Sequence, residues 1–135
     1  MSQYKSNLNP LDGAHFPNDL GIKLINWGDG QAEMEILVIE RLTNRLGVAH
    51  GGVISTLLDQ SLGLAWRSLR EERIPGGTIN LNVNFIAPGR GRLRAIGQWI
   101  SFTKSTAFCE GRVLNETGQV IATAQGIFSA RQKTD

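Results

Sequence analysis

The sequence predicts an α+β domain in which a mostly antiparallel sheet covers one long central helix. Two patterns carry this prediction: apolar and polar residues alternate on both sides of one central segment, and that segment itself has a helical period. With 135 residues, 41% of them hydrophobic and 19% charged, the chain has the size and balance of a single domain over residues 1–135. We therefore expect one core, formed between the helix and the sheet.

Composition and charge exclude several classes of protein. The formal charge at pH 7 is only +2, so no strong field favours nucleic acid or an anionic membrane as a partner. The single cysteine, Cys109, excludes an internal disulfide framework, which indicates a reducing compartment. No apolar run approaches the ~20 residues of a membrane span, and the first residues lack the apolar stretch of a signal peptide. We expect a cytoplasmic protein.

The N-terminal part of the chain predicts a loop or short helix followed by a hairpin. Residues 1–18 are polar and are interrupted by prolines and a glycine, so no period can be recognised there. Two strands are predicted at 20–27 and 32–39 because they flank Gly28-Asp29-Gly30, and the second alternates apolar with mostly charged residues. They form the first pair of the predicted sheet.

The period changes to that of a helix between Gly51 and Leu69. Apolar side chains recur there every three or four residues, which predicts roughly five turns and a length of ~27 Å. The apolar face consists of Ile54, Leu57, Leu58, Leu62, Ala65 and Leu69. This segment is the long helix of the predicted fold.

Alternation returns after Pro75-Gly76-Gly77 and continues almost to the C-terminus. Residues 79–85 place apolar side chains on one face and three asparagines on the other, so the asparagine face is expected to meet solvent, a ligand channel or a partner strand. Ala87-Pro88-Gly89 ends that strand, and the tail at 131–135 is expected to fray. Further strands are predicted at 92–102, 106–114 and 120–129.

The segment that leads into the helix carries the residues most suited to chemistry, His50-Gly51-Gly52. Adjacent glycines let a ligand approach the backbone, and the first N–H groups of a helix lack helical partners and lie at its positive end. Such N–H groups suit a developing oxyanion. Small or polar residues, one of them a carboxylate, form a stripe along the same helix; they are Gly52, Ser55, Thr56, Asp59 and Gly63. The plainer interpretation is a glycine-rich turn before a helix with one exposed Asp.

Taken together, His50-Gly51-Gly52, Asp59, the strand sequence 78–85 and Ala87-Pro88-Gly89 resemble the hotdog-fold acyl-CoA thioesterases, most nearly their PaaI-like, phenylacetate-degradation branch. The resemblance covers residues 20–129. It implies that a curved antiparallel sheet wraps the long helix. It also implies hydrolysis of an acyl-CoA thioester to a carboxylic acid and CoA with no metal or redox cofactor, since CoA is part of the substrate.

By position, the resemblance assigns roles to four residues. Gly51 would donate its N–H to the thioester carbonyl, and Asn44 would help to hold that carbonyl. Asp59 would act as the nucleophile or as a general base, with Thr78 as the hydroxyl that orients the carboxylate or the attacking water. Some relatives carry a Thr one turn after the acid, where this chain has Gly63. Aromatic, medium-chain and short-chain acyl groups are all compatible with this pattern.

Four further residues are expected to contact the substrate: His50, Gly52, Arg90 and Arg92. His50 acts either as a base or as a residue that holds the loop through backbone hydrogen bonds, and we favour the second. The arginines alternate along a strand, so they project to one side, where they would meet the phosphates of CoA or simply solvent.

Helix geometry predicts a site that is shared between two subunits. Gly51 and Asp59 are eight residues apart, ~12 Å along the helix axis, whereas reacting groups must come within roughly 3.5 Å. We therefore expect a two-fold homodimer in which Gly51 and Asn44 of one subunit face Asp59 and Thr78 of the other. The resemblance implies pairing through the strand at 79–85 and further assembly into a homotetramer. The competing hypothesis is a hotdog domain that binds acyl-CoA or a related ligand without turnover.

Overall fold

The computed structural model describes residues 9–70 and 76–131. The strands there form one antiparallel sheet in the order β1-β2-β4-β5-β6-β3, and α2 packs mainly on β4, β2 and β5. The predicted architecture, a sheet around one long helix, is confirmed. The elements are α1 (His15–Leu20), β1 (Lys23–Gly28), β2 (Gln31–Leu37), a 3-10 turn (Glu40–Leu42), α2 (Gly51–Arg67), β3 (Thr78–Phe85), β4 (Arg92–Phe102), β5 (Thr106–Leu114) and β6 (Val120–Ser129).

The N-terminal boundaries differ from the predicted ones. The helix α1 extends to Leu20, where the first strand was expected to begin, and Gly21 ends α1 because it adopts a left-handed φ of 87°. The hairpin itself is confirmed, since Asp29 and Gly30 both take positive φ values, 54° and 83°, as a tight turn between strands requires. The second strand ends at Leu37 rather than at residue 39 because the chain turns into the 3-10 segment.

The later boundaries agree closely with the predicted ones. The helix α2 ends at Arg67, two residues earlier than predicted. The Leu69 and Arg70 N–H groups donate to carbonyls three residues back, so the chain forms a tighter 3-10 turn there instead of continuing the α-helix. The last three strands have the predicted bounds. The predictions for residues 1–8, for Pro75 and for 132–135 lie outside the described residues. No helix in the described part of the chain is both long and apolar enough to cross a membrane.

Three glycines on neighbouring strands explain how closely the sheet approaches the helix. A Cβ on Gly97 of β4 would lie 2.5 Å from the Ser61 carbonyl oxygen of α2. A Cβ on Gly111 or on Gly126 would lie 2.6 Å or 2.9 Å from a methyl group of Leu62. Because only glycine leaves this space empty, the fully buried Leu62 can pack directly on the sheet.

Adding one methyl group to this surface tests the packing. Gly97→Ala is expected to lower the free energy of unfolding by about 2 kcal/mol or more, because helix backbone atoms must move away from the new Cβ. Gly63→Ala is the matched control: its Cβ would make an ordinary contact, 3.6 Å from Phe128, and alanine favours the helix. Urea denaturation measures both, and a Gly97→Ala variant as stable as wild type would contradict the proposed packing.

The small and polar stripe lies on the side of α2 that the sheet leaves open. All five of its members retain some exposure, whereas Leu57, Leu58 and Leu62 are fully buried. The nearby strand β3 pairs only with β6 within the described residues, so its other edge is unpaired. Two of the exposed side chains of this strand are apolar, Ile79 at 58% and Phe85 at 57% of full exposure, and the three asparagines between them are exposed as well.

Candidate active site

The first turn of α2 presents a backbone N–H with no acceptor. The imidazole of His50, the residue before the helix, accepts a hydrogen bond at Nδ1 from the Gly52 N–H at 2.8 Å. The Gly51 N–H donates to no acceptor among the described residues. A free donor therefore remains at the positive end of a 17-residue helix, a position that favours negative charge.

The structure places His50 as the N-terminal cap of α2, the alternative we favoured from sequence. Because Nδ1 accepts a hydrogen bond, the proton of the neutral ring is on Nε2. The His50 N–H also donates to the Leu42 carbonyl at 2.9 Å, so both backbone and side chain fix the helix start. A Cβ on Gly52 would lie 3.0 Å from His50 Nδ1, so a side chain there would require the capping imidazole to shift by a few tenths of an ångström.

The cap makes a prediction about stability. His50→Ala is expected to lower the free energy of unfolding by about 1 kcal/mol, because the Gly52 N–H loses its acceptor. His50→Asn should restore most of the loss, since an Asn side chain caps helices well. Urea denaturation of the three proteins measures the difference. An alanine variant with wild-type stability would show that the hydrogen bond contributes nothing to the fold.

Asn44 organises the loop in front of the helix. Its Oδ1 accepts hydrogen bonds from the N–H groups of Leu46 at 2.9 Å and Val48 at 3.4 Å. The side-chain Nδ2 donates to no acceptor among the described residues, so it remains available to a ligand. The Ala49 N–H donates to the Gly89 carbonyl at 2.8 Å, which fixes this loop beside the segment that follows β3.

A cavity of about 380 Å³ opens where these segments meet. Asn44 and Gly51 are among the residues that line it, and most of the wall is apolar. A pocket with apolar walls and a few convergent donors suits a carbonyl group attached to an apolar chain. The lining residues are Asn44, Val48, Ala49, Gly51, Ile54, Phe85, Ile86, Ala87, Pro88 and Gly89.

Within residues 9–70 and 76–131, the Asp59 carboxylate that was singled out in the sequence has one hydrogen-bond partner. The Thr78 hydroxyl, at the start of β3, donates to Asp59 Oδ1 in the middle of α2 at 2.6 Å. Gly63, one turn later, offers no hydroxyl. Neither Asp59 nor Thr78 lines the cavity. One chain therefore contains two separate groups of residues, Asn44 with Gly51 and Asp59 with Thr78.

The two arginines expected to contact substrate differ in their surroundings. Arg92 forms an ion pair with Glu35 across the β2–β4 ladder at 2.9 Å, next to a second pair between Arg94 and Glu33 at 3.1 Å. Arg90 is exposed, follows the cavity residue Gly89 directly, and has no carboxylate partner among the described residues. A role in binding substrate remains a prediction for both.

Two further observations refine the list of candidate residues. Burial raises the pKa of Cys109 to about 12, so this thiol stays protonated near neutral pH and is no nucleophile. Sequence reasoning missed Phe85 and Ile86 as cavity residues. The available signal was weak: two bulky apolar residues at the end of a strand, just before Ala87-Pro88-Gly89.

Comparison with known proteins identifies the family of this chain. A family model described as the thioesterase superfamily matches residues 46–122, which include the start of α2, Asp59, Thr78 and the cavity segment after β3. Human acyl-coenzyme A thioesterase 13 is 30% identical over 80% of this chain and 79% of its own length.

Two other proteins give the range of similarity. A Halobacterium salinarum protein, provisionally named an esterase, is 38% identical over 56% of this chain, and the match spans about half (54%) of that relative. A solved structure of a variant of the phenylacetic acid degradation protein PaaI from Thermus thermophilus has a TM-score of 0.77 and 25% identity. That match covers 85% of this chain and 97% of the other.

Proposed function

This chain belongs to the thioesterase superfamily, and on that premise we propose that it hydrolyses an acyl-CoA thioester to a carboxylic acid and CoA. The observation that carries the proposal is the free Gly51 N–H at the helix terminus, beside an apolar cavity that Gly51 itself lines. The donor suits the thioester carbonyl, and the apolar wall suits the groups attached to it.

The first chemical task is to stabilise negative charge on the thioester oxygen. Gly51 and Asn44 both line the cavity, and the Gly51 N–H and the Asn44 Nδ2 have no acceptor among the described residues, so both are free to donate to that oxygen. The donors are held in place before substrate arrives, by the His50 cap and by the turn around Asn44 Oδ1. Removing one such donor typically costs about 3 kcal/mol of transition-state stabilisation.

The second task falls to Asp59. As a nucleophile it forms an anhydride with the acyl group and expels the CoA thiolate, and water then cleaves the anhydride. As a general base it removes a proton from water, whose oxygen attacks the carbonyl carbon and displaces the same thiolate. The Thr78 hydroxyl donates to one carboxylate oxygen and leaves the other free for either role.

The proposed site forms between two copies of the chain. Within one chain the cavity contains Asn44 and Gly51 but neither Asp59 nor Thr78, and ~12 Å of helix separates Gly51 from Asp59. The unpaired edge of β3, with its exposed apolar side chains, is the surface we assign to pairing across the two-fold axis. Two sites per homodimer follow from the symmetry, and homodimers assemble further into a homotetramer.

The proposed reaction uses no metal or redox cofactor, because CoA enters as part of the substrate. Arg90 at the edge of the cavity is our first candidate for a CoA phosphate, and Arg92 would have to exchange its Glu35 partner for one. We place the protein in the cytoplasm, where its single thiol, Cys109, stays reduced.

The experiment is an assay of free thiol release from a panel of short-chain, medium-chain and aromatic acyl-CoA thioesters. We expect turnover with at least one of them. A protein that binds these thioesters by calorimetry but releases no thiol would instead support binding without catalysis, the competing function. The Asp59–Thr78 pair favours turnover, because an oriented carboxylate serves hydrolysis and is not needed to bind a thioester.

A further inference from the structure

Phe85 occupies an unusual position at the end of β3. The side chain is 57% exposed although it lines the cavity, and the neighbouring Ile86, also in the cavity wall, is 58% exposed. A Cβ placed on Gly51 would lie 3.4 Å from both Cε1 and Cζ of the Phe85 ring. The edge of the ring therefore lies at van der Waals distance from the Cβ position of Gly51, the residue that carries the free N–H.

The backbone that carries this ring is fixed. Phe85 pairs with Ala122 of β6, and the N–H groups of Ile86 and Ala87 both donate to the Ile121 carbonyl, at 2.8 and 3.1 Å. Rotation about the side-chain bonds is then the main freedom left to the ring. Because the Phe85 backbone cannot move back, the ring limits the width of a group that lies beside Gly51.

We propose that Phe85 is a specificity-determining residue, which admits acyl groups that are unbranched at the carbon next to the thioester carbonyl and disfavours branched ones. This inference rests on the proposed function. A carbonyl oxygen bonded to the Gly51 N–H lies about 2.9 Å from that nitrogen, so the adjoining carbon passes close to the ring. A methylene group fits along an aromatic surface, whereas an additional methyl group requires the ring to move.

The test compares two thioesters with the same number of carbon atoms, n-butyryl-CoA and isobutyryl-CoA. The readout is the ratio of their kcat/KM values, which does not depend on the fraction of active protein in a preparation. We expect wild type to favour the linear thioester roughly tenfold or more, a usual effect of one misplaced carbon. Phe85→Ala should lower this ratio about tenfold, with Phe85→Leu between the two.

The matched control is Phe108→Ala, which removes another exposed phenylalanine, on β5 and outside the cavity, and should leave the ratio unchanged. A ratio near one in wild type, or the same ratio in Phe85→Ala as in wild type, overturns this inference and leaves the proposed function unaffected. Phe85→Ala and Phe85→Leu variants that fold and dimerise as wild type does but are wholly inactive overturn it as well, because the ring would then be needed for turnover itself. Wild type that releases thiol from no acyl-CoA overturns the proposed function and this inference with it.

Discussion

Asp59→Asn and Asp59→Ala are expected to lower kcat by about 10²–10⁴ while the protein remains folded. The reason is that each variant removes the carboxylate that we propose to attack the thioester or to activate water. Asparagine keeps the shape of the side chain and can still accept the hydrogen bond from Thr78. The fold should tolerate both changes, because Asp59 lies on the open stripe of α2 and not on its leucine face.

The measurement is steady-state thiol release on the best substrate of the panel, with urea denaturation on the same samples. Asp19→Asn is the control for loss of one negative charge, since its carboxylate is exposed at the end of α1 and far along the chain from the site. Thr78→Ala should reduce turnover less than Asp59→Ala, because the hydroxyl orients the acid and does not replace it. Activity of folded Asp59→Ala within threefold of wild type would exclude the proposed mechanism.

The sequence was most informative where local patterns are long. The three C-terminal strands have the predicted bounds because nine to eleven alternating residues and clear turns leave few alternatives. The helix α1 was not distinguished from a loop, since six residues with Pro17 among them contain too few turns for a period. Its C-terminal residue, Leu20, was wrongly placed in a strand. One apolar residue next to a glycine fits the end of a helix as well as the start of a strand.

For the candidate site, too, the sequence was informative within one segment and uninformative about features that several segments form together. Three of its residues, Asn44, Gly51 and Asp59, were proposed from spacing and from resemblance, which are properties of one short segment on α2 and before it. The cavity is lined by residues from two segments, 44–54 and 85–89, which the sheet brings together. Because that alignment is not a local property of the sequence, Phe85 was not recognised as a cavity residue. The ion pair of Arg92 depends on the register between β2 and β4, which places Glu35 opposite Arg94 and diagonal to Arg92, and which no local pattern specifies.

Mixing two inactive variants is expected to restore activity if the site is shared between subunits. Asp59→Ala removes the acid, and Gly51→Val places a side chain where the thioester carbonyl must lie. The valine should fold, because a Cβ on Gly51 makes only an ordinary contact with the exposed Phe85 ring. In a heterodimer of the two variants, one of the two sites receives Gly51 from one chain and Asp59 from the other, both intact.

Random exchange of equal amounts makes about half of the dimers mixed, each with one intact site, so about a quarter of wild-type activity should return. Native mass spectrometry verifies the exchange, and thiol release measures the recovery. Asn44→Ala mixed with Gly51→Val is the control: both changes affect the same half of the site, so every site in that mixture is damaged and no activity should return. Verified exchange without recovery, or sedimentation of a fully active monomer, would place the complete site within one chain, against the ~12 Å of helix that separates Gly51 from Asp59.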